Sequence, residues 1–267
     1  MLPYTVFETT LSKNSSESLV RLFIFRRFSN IRSLKRPENM DLLYWVVILV
    51  PTVIGFIISN RLKSKFQKYS QVGLRSGMNG KEVAESMLRH FGISDVKVVA
   101  GQGFLTDHYN PLTKTVSLSP EVYQGQSVAA AAVAAHECGH AVQHANAYAW
   151  LQMRSAIVPI VNVAAMAQQW LFLGAFIFLN QFPGLMLLTI AAFGITTAFA
   201  FITLPVEFDA SRRALVWLDE SGVARGTEYD GAKDALWWAA MTYVSAALSA
   251  LVMLLYLVLR YVGASRD

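Results

Sequence analysis

The sequence predicts a mainly α-helical, integral membrane protein in which about four transmembrane helices carry one small α+β segment. Three observations predict it. Hydrophobic residues make up 54% of the 267-residue chain and charged residues only 15%, against about a quarter charged in ordinary soluble domains. Three stretches carry no charge at all: Leu42 to Asn60 (19 residues), Ser155 to Val206 (52) and Ala235 to Leu259 (25). One sizeable polar segment, residues 61–154, lies between the first and the second. A chain of this size has too little polar sequence to wrap such runs as buried core helices of a soluble protein.

The first 39 residues mix Ser, Asn and Arg and carry seven Lys or Arg. They are expected to be a basic disordered tail, an interfacial amphipathic helix around residues 19–28, or a misassigned start ahead of Met40-Asp41, the last being preferred. The first charge-free stretch fits one crossing, since about 20 apolar residues span a hydrocarbon core of about 30 Å. The middle stretch fits two, because Asn180-Gln181-Phe182-Pro183-Gly184 is a polar tight-turn signal within it. The last fits one. The crossings are therefore placed at 42–60, 156–179, 185–205 and 236–260. Pro51 and Pro159 fall inside them, where membrane helices tolerate proline.

Within the polar segment, Gly80 to His90 has the apolar spacing of an amphipathic helix, with Val83, Met87 and Leu88 on one face and Gly92 as its stop. Val96 to Ala100 is β-branched and reads as a strand. Asn110-Pro111 marks a turn, and Thr113 to Leu118 alternates as a second strand. From Ser127 to Ala145 alanine dominates, which predicts a strong helix. A further short helix is expected from Glu207 to Asp219, ending near Gly222.

Net charge is +5. In so apolar a chain the basic residues flank membrane runs, which suits an anionic bilayer surface and argues against nucleic acid as a partner. Cys138 is the only cysteine, so no intrachain disulfide forms. Arg61, Lys63, Lys65 and Lys68 follow the first crossing, Arg154, Arg212 and Arg213 share that side, and the 180–184 turn opposite has no basic residue. With a start at Met40, the polar segment faces the cytoplasm across a multi-pass cell membrane; the seven basic residues of the 1–39 tail would compete with that orientation.

The helix over 127–145 carries His136-Glu137-Cys138-Gly139-His140. Residues four apart share one helix face, about 6 Å apart along the axis, so both imidazoles can converge on one tetrahedral Zn2+. Glu137 beside them can take a proton from an activated water. Two ordinary histidines on a polar helix face are the plain alternative. A catalytic zinc site usually has three protein ligands. His144 continues the spacing but lies about 12 Å from His136 along a straight helix, and is expected at the surface or behind a ligand. The hairpin of the second and third crossings returns the chain to the same membrane face, and the first charge there is Glu207. A carboxylate at that depth is costly unless paired or metal-bound. An ion pair with Arg212 or Arg213 is its alternative role, and Asp209 is the rival ligand or a group fixing a ligand imidazole. Cys138, on the far side of the helix, is expected to be a buried small residue.

From about Met40 onward the chain resembles the YugP-type neutral zinc metallopeptidases, a bacterial membrane family. The resemblance is carried by Leu105-Thr106-Asp107-His108-Tyr109, by Ala135-His136-Glu137-Cys138-Gly139-His140-Ala141, by Leu204-Pro205-Val206-Glu207-Phe208-Asp209-Ala210-Ser211-Arg212-Arg213 and by Thr242-Tyr243-Val244. More distantly the chain is similar to HtpX-type membrane proteases and CaaX prenyl-endopeptidases, which also place a membrane hairpin between the histidine motif and a ligand glutamate. The resemblance implies a zincin-like (gluzincin) catalytic segment, His136, His140 and Glu207 as metal ligands, and Glu137 as general base. The distant relatives have an aspartate four residues after the ligand glutamate; here Ser211 holds that position and Asp209 lies two residues on.

The organisation expected is then a tail or misassigned start (1–39), the first transmembrane helix (40–60), a catalytic segment with the zinc-binding helix (61–154), the transmembrane hairpin (155–206), a third-ligand helix and connector (207–234), and the fourth transmembrane helix with a short tail (235–267). The activity expected is a membrane-embedded zinc endopeptidase acting on peptide or protein substrates, with quality control of membrane proteins implied by the HtpX resemblance. The residues leave oligomeric state open. Relatives of this fold bind substrate along an edge strand, for which Thr113 to Leu118 is the candidate. Tyr243, His108, Tyr123 and Arg212 are the candidates for stabilising the oxyanion. The competing readings are a catalytically silent zinc-binding membrane scaffold and a zinc hydrolase of a non-peptide amide or ester.

Overall fold

The computed structural model describes residues 38–103, 105–177 and 182–264. The expectations for residues 1–37, and for Asn180 and Gln181 of the turn, lie outside them. The chain divides into two units, residues 1–45 and 46–267. In the first the described residues are the opening turns of a long helix. The second holds the rest of that helix, the sheet and all the helices after it.

The described residues are mainly helical. Helix α1 (Glu38–Ser70) and α2 (Gly80–His90) precede a three-stranded sheet of β1 (Lys97–Ala100), β2 (His108–Asn110) and β3 (Thr115–Leu118). A single turn, α3 (Pro120–Tyr123), leads into α4 (Val128–Ala145), followed by α5 (Ala149–Ile177), α6 (Pro183–Glu220) and α7 (Thr227–Ala264). Four helices are long and apolar enough to cross a membrane: Leu42–Ser70, Ala149–Gly174, Gly184–Glu220 and Thr227–Gly263. The fold is thus a helical membrane protein with a small sheet.

The helices run past the charge-free windows. A break in hydropathy marks where a helix leaves hydrocarbon, whereas a helix ends where its backbone bonds are capped. The separate third-ligand helix is the clearest correction: Glu207 sits inside α6, which passes unbroken through Pro205. A helix in an apolar bundle absorbs a proline because a complete break would leave several backbone groups without partners. Among the expected stops, Gly92 follows α2 at φ 68°, a conformation that costs glycine little.

The sheet order is β1-β3-β2, with β1 parallel and β2 antiparallel to β3. This corrects the expected edge strand: Thr115 to Leu118 is the central strand, hydrogen-bonded on both sides, and the edges are β1 and β2. Three-residue β2 has no room for an alternating pattern, so only the turn after it was visible in the sequence.

Alanine-rich α4 is the centre of the polar part. From Val128 to Ala135 every residue except Val133 is buried, and α2, α6, α7 and the sheet pack around it. Small side chains let backbones approach closely and concentrate the larger groups, Met87, Leu118 and Trp217, in the gaps. Lys65 and Tyr69 of α1 both donate to one Asp234 carboxylate oxygen of α7, at 2.6 and 2.7 Å, tying the polar end of α1 to the bundle.

Candidate metal centre

Two helices build the site. Helix α4 starts at Ser127, whose hydroxyl accepts the Ala130 N–H at 3.2 Å, and three turns later presents His136 and His140. Helix α6 lies directly against it. A Cβ added to Gly139 would sit 2.6 Å from the Ala210 carbonyl oxygen and 3.1 Å from the Ala210 backbone carbons. Glycine is therefore required between the two histidines: only a bare backbone lets α6 come close enough to deliver Glu207.

Glu207 Oε2 lies 3.4 Å from His136 Nε2 and 3.6 Å from His140 Nε2. The two imidazole rings stand edge to face, 4.8 Å apart at 84°. A tetrahedral zinc with bonds of about 2.0–2.1 Å sets its ligand atoms about 3.4 Å apart, so the spacing suits one ion. Among the described residues these three are the one group of His, Cys, Asp or Glu able to hold a metal, with ligand atoms all within 4.8 Å of one another. Glu207 Oε2 is buried and has no hydrogen-bond partner. An orphaned carboxylate oxygen aimed between two imidazole nitrogens fits a cation.

The other nitrogens of both rings are held. Gln143, fully buried, donates from Nε2 to the Val206 carbonyl at 2.8 Å and to Asp209 Oδ2 at 2.9 Å. With both acceptors on its nitrogen, the amide must turn Oε1 towards His140 Nδ1, 3.1 Å away. An oxygen there can only accept, so Nδ1 carries a proton, and in the neutral ring it is the Nε2 lone pair that faces Glu207. Ser211 Oγ lies 3.1 Å from His136 Nδ1. Asp209 is itself fixed by Arg212 at 2.7 Å and Arg213 at 2.5 Å.

Asp209 therefore stands behind the site rather than in it, reaching His140 through Gln143, and the arginines expected as partners of Glu207 are taken up by Asp209. Glu207 Oε1 instead faces Arg154 Nη1 at 3.9 Å. Glu137 is buried on α4. His108 is exposed on β2, its Nδ1 against the Thr106 carbonyl, and lies outside the cluster. His144 is exposed and shares a 2.8 Å hydrogen bond with the Tyr109 hydroxyl. Cys138 points away into the core, and burial pushes its thiol far above the ordinary range. Asp107 accepts from the Ser119 N–H at 2.7 Å and from its hydroxyl at 3.1 Å, while burial raises its pKa; it organises the end of β3. Of the oxyanion candidates, Arg212 is committed to Asp209 and Tyr123 lies 5.8 Å from the Lys81 ammonium on α2's side. Tyr243 of α7 neighbours the carboxylates of Glu207 and Glu137. Gln143 was missed in the sequence; its signal was an amide in an alanine helix, three residues after His140.

The chain belongs to the family described as "putative neutral zinc metallopeptidase", whose model matches residues 44–262. It is 41% identical over 210 residues to "Putative membrane protease YugP" of Bacillus subtilis (strain 168), an overlap covering 79% of this chain and 92% of that relative. No solved structure matches the chain.

Proposed function

We propose that this protein is a membrane-embedded, zinc-dependent endopeptidase in which His136, His140 and Glu207 hold the metal and Glu137 is the general base. One observation carries the reading: a buried carboxylate oxygen without a hydrogen-bond partner, on a helix remote in sequence, lies 3.4 and 3.6 Å from two imidazole nitrogens of one helical turn. Bound zinc supplies Lewis acidity towards a peptide carbonyl and makes water acidic enough to lose a proton near neutral pH.

The chain's own residues do the rest. Glu137 accepts the water proton and returns it to the leaving nitrogen. Gln143 and Ser211 keep the two rings in the ligating orientation. Tyr243, beside both carboxylates, is the group assigned to the developing oxyanion. Strand β2, an edge that packs near α4, replaces the central strand as the place where an extended substrate adds backbone to backbone. Basic residues at the polar ends of α1 and α6 favour the cytoplasmic face for the site.

The test is Glu137→Gln in detergent-purified protein. The reading expects full zinc stoichiometry with peptide cleavage lowered by about 10²–10⁴-fold. A silent scaffold would show no cleavage before the substitution either. Products from a peptide library set against amide and ester substrates separate a peptidase from a hydrolase of other bonds.

A further inference from the structure

The β2–β3 hairpin ends in the turn 111–114, and Leu112 in that turn is 94% exposed, the highest value among the large hydrophobic side chains described. A lone exposed leucine is ordinary. This one differs in rigidity and in position. The Asn110 side-chain oxygen accepts the N–H of Leu112 at 2.9 Å and of Thr113 at 3.2 Å, so the turn is braced from within. Lys114, at φ 50°, closes it and pairs with Asp95. At its root, Tyr109 is bonded to His144 at the end of α4. The leucine is thus held out on a fixed arm.

The arm has a definite height. Pro111 and Leu112 form one wall of a cavity of about 320 Å³ whose other wall includes Tyr148, Leu151, Gln152 and Ser155. Those residues lie just before α5 or in its first two turns. Arg154 is the last charge before the hydrocarbon stretch, and Ser155 opens 52 charge-free residues. The tip therefore stands beside the point where α5 passes from headgroups into acyl chains. Trp150 and Met153 are exposed at the same level, and tryptophan there is characteristic of a membrane interface. No charge lies between His108 and Lys114 to oppose insertion.

We propose that the Pro111–Leu112 tip is a bilayer-contacting wedge, with Leu112 inserted into the phospholipid interface alongside α5. Its partner is the lipid surface itself. The wedge fixes one end of β2 at the membrane, so a chain segment emerging from the bilayer reaches the β2 edge before a segment in bulk water does. That consequence rests on the peptidase reading; the insertion does not.

Insertion is measured without any hydrolysis. Cys138, the one cysteine of the sequence, is buried, so Leu112→Cys in the full chain provides a single labelling site for a nitroxide. In vesicles of phosphatidylcholine with phosphatidylglycerol, collisions with oxygen, which concentrates in hydrocarbon, are compared with collisions with a water-soluble nickel chelate. The expected oxygen-to-nickel ratio is at least several-fold above that of a label at Arg89→Cys, an exposed position on α2. A label at Pro111→Cys must show the same bias, and decides the matter where Leu112→Cys does not fold. Ratios at the tip equal to that at Arg89 would place the tip in water and overturn the wedge, whatever the enzyme cleaves.

Discussion

Replacing Gln143 with Met tests whether the amide behind His140 sets the metal site. Methionine keeps the length and apolar bulk of the side chain but removes both Oε1 and Nε2. His140 then loses the acceptor 3.1 Å from its Nδ1, a bond worth about 0.5–1.5 kcal/mol net. The ring is also released to carry its proton on Nε2, the atom that faces Glu207, so the ligating form is no longer imposed. Together these predict the loss typical of a group behind a metal ligand, about 10–100-fold in zinc affinity, or roughly 1.4–2.7 kcal/mol. The bonds to Val206 and Asp209 also go, but Asp209 keeps Arg212 and Arg213, so the fold should survive. Zinc affinity is read by competition with a chromophoric chelator in detergent, with thermal unfolding of the metal-free protein as the control. Affinity within twofold of wild type, at unchanged stability, would show that Gln143 does not orient the imidazole.

Glu137→Gln should retain zinc and lower peptide hydrolysis by about 10²–10⁴-fold; measurable cleavage at the wild-type rate would remove Glu137 from the mechanism. Gly139→Ala drives a methyl to 2.6 Å from the Ala210 carbonyl oxygen. Two backbones cannot yield there, so about 1–3 kcal/mol of stability should be lost together with zinc stoichiometry, and a variant that melts like wild type with full metal would contradict the close approach. Cys138 should resist maleimide in the folded protein even at alkaline pH, because its raised pKa leaves the thiol protonated. Folding thus favours the protonated thiol, a contribution complete below the unfolded pKa of about 8.5 and lost as pH rises above it; rapid labelling of native protein would refute the burial. Glu207→Gln should abolish stoichiometric zinc, and unchanged metal content would exclude it as a ligand.

Much of this protein follows from local chemistry. The membrane helices were legible because apolar runs of fixed length have few other solutions, and α2 and α4 because periodicity, alanine content and a terminal glycine all agree. That His136 and His140 lie side by side was legible because four residues of one helix span about one turn. Glu207 could be inferred from the hairpin topology, since the chain must return to the same face. The rest depended on tertiary packing. Strand β2 is too short to carry a pattern, and only its pairing with β3 reveals that the presumed edge strand is central. That α6 continues through Pro205 depends on neighbours that leave a broken backbone no water to bond. Asp209 reaches His140 only because α4 and α6 press together at Gly139, bringing Gln143 between them across 66 positions of sequence. Periodicity records which face of a helix is apolar; it cannot record which atom of another helix that face will meet, because the meeting is set by the shape of both surfaces at once.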